Sequence, residues 1–134
     1  MLLEGEQMNI FSILVPKQML TYLNANDPLD HATQFIMTST YSAVPVIDDE
    51  GHYVGIVSEG DFLKAYVTYG SDHLSEHTVQ DIVNRDKDGE CLNTVGREEI
   101  LDKILDRNFL CIVDDRMIFI GIITRKSVIM YLNK

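Results

Sequence analysis

Positive charge is scarce in this chain: 11 lysines and arginines stand against 21 aspartates and glutamates, a formal net charge of −10. General nucleic-acid binding needs a basic surface and is excluded on that ground, although an anionic small ligand in a locally basic pocket is not. No run approaches the roughly 18 consecutive apolar residues of a membrane span. The acidic opening MLLEGEQMN does not read as a secretory signal. Cysteine is limited to Cys91 and Cys111, each in apolar surroundings and without metal-ligand spacing. That usage predicts buried, reduced thiols in a cytoplasmic protein. The motifs Gly-x-Ser-x-Gly, Gly-x-x-x-x-Gly-Lys and His-Glu-x-x-His are missing, so no catalysis is expected. Two partial metal motifs also fail. His73 and His77 have zinc-like spacing but lack the glutamate after the first histidine. The stretch from Asn84 to Gly89 opens like a calcium loop, yet places Val95 where a bidentate glutamate is required. No metal and no cofactor are expected.

What is present is a repeat. Hydrophobic residues make up 46% of the 134 positions, enough for a real core. Val44–Asp61 reads VPVIDDEGHYVGIVSEGD: two apolar runs around an acidic turn, passing into a helix-starting cluster. Phe109–Ser127, FLCIVDDRMIFIGIITRKS, matches it without a gap at a constant offset of 66, with Asp48 on Asp114, Gly55 on Gly121 and Ser58 on Thr124. Asp61 falls on Ser127. Two copies imply a pseudo-symmetric pair rather than a solenoid.

Around the two hairpins, periodicity predicts a first helix over residues 6–15, stopped by Pro16, and an extended segment over 17–23. A helix opened by Pro28, capped by Asp27 and running to about Thr40, follows with Leu29, Ala32, Phe35 and Ile36 as its apolar stripe. The first hairpin leads into a helix over 60–69, its core face Phe62, Leu63, Tyr66 and Val67. The polar stretch GSDHLSEH reads as a linker, and Thr78 caps a short helix over 79–83. A short strand at Cys91–Leu92, a helix over 97–107 and a final helix over 125–132 frame the second hairpin. The expected organisation is an N-terminal helix (1–16), a first repeat (17–70), a linker (71–77) and a second repeat (78–134). Each half, at about 60 residues, buries too little surface alone, so the halves should pack as one α/β unit.

Twofold strand–helix–strand–strand–helix order, with Gly55-Ile56-Val57-Ser58-Glu59-Gly60-Asp61 and, less closely, Gly121-Ile122-Ile123-Thr124-Arg125-Lys126-Ser127, resembles the CBS-domain family over nearly the whole chain. The resemblance implies tandem CBS repeats (β-α-β-β-α twice) packed as a pseudo-two-fold module, with clefts between the halves that take adenosine-containing nucleotides. It also implies homodimerisation. The motif has its own physical logic: a strand running straight into a helix leaves first-turn N–H groups unpaired and attractive to phosphate. Ser58 can donate to that phosphate or cap the helix, and Asp61, one turn on, can accept from ribose hydroxyls or complete the cap. In the second copy Ser127 removes the acidic group, while Arg125 and Lys126 place cations at a helix start, against the helix dipole.

A narrower resemblance is to small stand-alone CBS-pair proteins of Gram-positive bacteria that bind cyclic di-AMP. It rests on Lys17 after the first predicted helix, on Tyr41-Ser42-Ala43 before Val44-Pro45, and on Arg125-Lys126 after Thr124. It implies phosphate contacts from Lys17 and Arg125 and adenine-edge contacts from Ser42 and the backbone near Ala43. Lys126 stands where those proteins carry arginine and Ser42 where they carry threonine, and the loop after Lys17 is about two residues longer, which leaves AMP and ATP as alternatives. The expected ligand-binding set is Lys17, Tyr41, Ser42, Ala43, Ser58, Asp61, Thr124, Arg125 and Lys126. Such a module would signal to a protein target not identified by the sequence. The rival expectation is a dimerisation module with no bound nucleotide.

Overall fold

The computed structural model describes residues 9–85 and 89–133 and divides the chain into two compact units, residues 21–86 and residues 1–20 with 87–134. In the first, strand β2 (Leu23–Asn24) leads to helix α1 (Leu29–Thr38), a hairpin of β3 (Ala43–Ile47) and β4 (Tyr53–Ser58), and helix α2 (Glu59–Tyr69). β2 lies parallel to β3 and β3 antiparallel to β4. Leu23, Leu29, Ala32, Ile36, Val44, Val46, Val57 and Phe62 form its core.

The other unit repeats the order with β5 (Glu90–Leu92), α3 (Arg97–Ile104), β6 (Phe109–Val113), β7 (Phe119–Thr124) and α4 (Arg125–Leu132), around Ile100, Leu110, Ile112 and Ile123. The hairpins correspond residue for residue at the offset of 66, including a register shift after Val46 and again after Ile112. The equivalence drifts only between helix and hairpin: α1 has ten residues and α3 eight. The tandem strand–helix–strand–strand–helix architecture is the one expected.

The N-terminal helix is not what forms. Residues 6–8 lie outside the described residues; Ile10–Ser12 make one 3-10 turn, and Leu14–Pro16 form strand β1, antiparallel to β7. The sheet order β1-β7-β6-β5 puts β1 on an edge, where a proline costs no ladder hydrogen bond. Gly121 is the reason β1 can come so close, because a Cβ there would overlap the Val15 carbonyl oxygen. Gly55 faces the Asn84 carbonyl in the same way, and Ile56 and Asn84 exchange backbone hydrogen bonds of 2.9 and 2.8 Å. In each unit, therefore, the segment that precedes the other repeat closes the outer edge of the sheet.

Other boundaries also move. Residues 71–77 are no bare linker: Ser71–Glu76 form a 3-10 helix whose Leu74 is buried in the first unit's core. The short helix after Thr78 is 3-10, spans Val79–Asp81 and belongs to that same unit, because buried Val79 anchors it there. Lys17–Met19 make a 3-10 turn rather than a strand. Asp27 does not cap α1; its carboxylate instead accepts from the Asn24 N–H at 2.9 Å and ties the preceding turn.

Candidate functional site

Each unit carries one strand-to-helix turn of the kind that could hold an anion. In the first, Ser58 ends β4 and caps α2: its Oγ accepts from the Asp61 N–H at 3.3 Å. Asp61 answers through one oxygen, Oδ2, which accepts from the Ser58 N–H at 2.9 Å and from the Ser58 hydroxyl at 3.0 Å. This reciprocal cap satisfies helix-end donors internally. The hydroxyl hydrogen of Ser58 and one carboxylate oxygen of Asp61 are thereby spent within the turn. Beside them, Ala43 pairs with Ser58 across the hairpin, and the Glu59 N–H donates to the Ser42 carbonyl at 3.0 Å. The Tyr41 N–H donates to Ser39 Oγ at 3.2 Å. Tyr41, Ser42, Ala43, Ser58 and Asp61 are thus neighbours in one turn region.

The second turn reproduces the first with different chemistry. Thr124 Oγ1 accepts from the Ser127 N–H at 3.1 Å and Ser127 Oγ accepts from the Thr124 N–H at 3.1 Å. Ser127 therefore preserves the cap that Asp61 makes, without its charge. Arg125 and Lys126 open α4 and are exposed. The cation at the positive end of α4 has a local answer in Arg125, whose Nε donates to the Ile104 carbonyl at 3.1 Å and Nη2 to the Leu105 carbonyl at 2.7 Å. Those carbonyls end α3, the negative pole of that helix. The Arg125 N–H also donates to the Asn108 carbonyl at 3.3 Å, the counterpart of the Glu59–Ser42 bond. Arg107 and Asn108, at the offset of 66 from Tyr41 and Ser42, belong to this turn and were missed from sequence, although the offset alone points to them.

Lys17 is not brought to this turn. Pro16 pairs with Gly121 and Leu14 with Ile123, so Lys17 and Thr124 lie beyond opposite ends of the β1–β7 pairing. At about 3.3 Å per strand residue, their backbones are separated by roughly 10 Å or more. Between α3 and α4 runs a groove of about 760 Å³, lined chiefly by Leu101, Leu105, Val128, Ile129 and Leu132, with Arg125 reaching into its wall. Among the described residues no group of three or more His, Cys, Asp or Glu could hold a metal ion, and no helix is long and apolar enough to cross a membrane.

The family profile that matches this chain is that of the CBS domain. Residues 15–68 match it. The structural likeness spans both repeats. A crystal structure of CbpB in complex with c-di-AMP superposes with a TM-score of 0.85 and 26% identity, covering 95% of this chain and 85% of that chain. A CBS domain protein from Streptococcus pneumoniae TIGR4 gives a TM-score of 0.83 at 29% identity over 93% and 86% of the two chains. Cyclic di-AMP receptor B of Bacillus subtilis (strain 168) is 23% identical, over 90% of this chain and 84% of its own.

Proposed function

We propose that this protein is a non-catalytic regulatory module that binds an adenosine-containing nucleotide, cyclic di-AMP before AMP or ATP, and signals its occupancy to a protein target. Tyr41, Ser42, Ala43, Ser58 and Asp61 are assigned to the nucleoside; Lys17, Thr124, Arg125 and Lys126 are assigned to phosphate. The observation that carries the reading is the second turn: a capped helix start flanked by two cations in a chain of net charge −10, with Ser127 replacing the carboxylate that would repel an anion. The separation of Lys17 from that turn suits a ligand whose two phosphates sit on separate linkages better than a contiguous triphosphate. The c-di-AMP bound by the CbpB relative supports the same choice.

Homodimerisation belongs to the proposal. Leu63 and Val67 on α2, and Ile129 and Leu132 on α4, are exposed apolar pairs at helical spacing, and such faces mark interaction surfaces. Two buried thiols, Cys91 and Cys111, fit a cytoplasmic location. A second reading, dimerisation without a nucleotide, is favoured by one observation: both caps satisfy their own hydroxyl groups, and the first also uses one oxygen of the Asp61 carboxylate.

Calorimetric titration with cyclic di-AMP, AMP and ATP at matched salt separates these. Micromolar affinity for cyclic di-AMP alone is the expected result. Preference for AMP or ATP would make the module an energy sensor, and no heat from any of the three would leave the dimerisation reading.

A further inference from the structure

Of the residues assigned to phosphate in the second turn, Arg125 is already engaged elsewhere. The Nε–Nη2 edge of Arg125, the fork that meets a carboxylate or phosphate bidentately, is spent on the Ile104 and Leu105 carbonyls. Helices α1, α2 and α4 each close on a backbone N–H of their own cap residue: Ser39 to Ile36, Gly70 to Tyr66 and Asn133 to Ile129. α3 ends differently. Its cap residue Leu105 keeps helical angles, φ −61° and ψ −33°, and leaves its carbonyl for a side chain to satisfy. The Arg107 N–H donates to the Ile104 carbonyl and its Nη1 to the Lys103 carbonyl, each at 3.4 Å, so the Leu105 carbonyl is the one that Arg125 serves beyond them. The end of α3 thus takes two of its side-chain donors from a guanidinium carried by α4. A phosphate met on that same Nε–Nη2 edge must displace the two carbonyls.

We propose that Arg125 is an exchange switch, and this rests on the nucleotide reading above. In the free protein its fork clamps the end of α3 to the start of α4. A nucleotide phosphate takes the fork, the last turn of α3 loses the two Arg125 donors, and Leu101 and Leu105 shift in the wall of the α3–α4 groove. Occupancy of the anion site is thereby converted into a change of apolar surface, the kind of differential contact that any ligand-driven change requires. Linkage makes the effect reciprocal: a partner that prefers the clamped groove weakens nucleotide binding by the same factor.

Hydrogen–deuterium exchange on the full chain, with calorimetry on the same samples, tests this. Saturating cyclic di-AMP is expected to raise exchange several-fold over residues 101–105 of the wild type. Arg125→Ala should show that faster exchange without ligand and no further rise with it. Arg125→Lys retains the charge but lacks the two-pronged fork, and should also exchange fast when free. Protection of Arg125→Lys equal to wild type would mean that charge alone closes the helix, and would overturn the clamp. Binding heat with unchanged exchange would overturn the switch while leaving the nucleotide reading intact. Absence of binding by any nucleotide would remove both.

Discussion

Met117 occupies, in the second hairpin, the left-handed position that Gly51 occupies in the first, with φ of 66° against 89°. Both residues donate their N–H to the aspartate that opens the turn, Asp114 and Asp48, at 3.0 Å. A side chain in that conformation costs about 1–2 kcal/mol relative to glycine, part of which glycine returns as unfolded-chain entropy. Gly51→Ala should therefore lower stability by about 1 kcal/mol, and Met117→Gly should raise it by up to about 1 kcal/mol, because half-exposed Met117 loses little packing. Urea unfolding of the two variants reads both signs; destabilisation by Met117→Gly would mean its side chain packs better than its exposure suggests.

Gly55 and Gly121 have a different reason to be glycine. A Cβ at either would meet backbone, the carbonyl of Asn84 or of Val15, which cannot rotate away. Gly55→Ala and Gly121→Ala should each cost about 1–3 kcal/mol, as overpacking does, and should detach the edge segment. Faster amide exchange at Asn84 in the first variant and at Val15 in the second is the expected signature.

The cap at Thr124 offers a substitution that separates stability from binding. Ser127→Asp recreates the Ser58–Asp61 arrangement and puts a carboxylate in the first turn of α4, worth about 0.3–1 kcal/mol against the helix dipole. The same charge, close to Arg125 and Lys126, should weaken an anionic ligand several-fold. A higher melting temperature together with lower cyclic di-AMP affinity is the expected pair; unchanged affinity would place the phosphate elsewhere.

Burial pushes the Asp48 carboxyl up, but donation from the backbone N–H groups of His52 and Glu50, and the His52 ring beside it, prevail and hold it below the usual carboxylate range. A carboxylate depressed in the folded state contributes stability that is present above its unfolded value, near 3.9. That contribution is lost as pH falls through the folded value. Asp48→Asn should be less stable than wild type at pH 7, with the gap narrowing below about pH 4. Urea midpoints at pH 7 and pH 3 check the sign, and a gap that widens in acid would refute it.

The hairpins and the helices that follow them were legible because their signals are local. Apolar alternation, an aspartate opening each turn, and a hydroxyl residue at each cap act over a few residues, and they recur at one fixed spacing. Residues 10–16 misled for the opposite reason. Ile10, Ile13 and Leu14 have helical spacing, yet Leu14 enters a strand decided by the open edge of β7 more than a hundred residues later. Phe35, Leu63 and Val67 likewise keep helical spacing and were expected in the core, but stand exposed, because periodicity records an apolar face and not what covers it.

The site divides along the same line. Sequence by itself determined the tandem architecture, the two capped strand-to-helix turns and the charge each one carries, since neighbours in the chain suffice for those. Tertiary structure alone decided that Lys17 stands apart from the Thr124 turn and that Arg125 spends its fork on α3. A side chain's hydrogen-bond partner depends on which backbone carbonyls folding leaves unsatisfied within its reach, and that is a property of packed helices rather than of spacing along a chain.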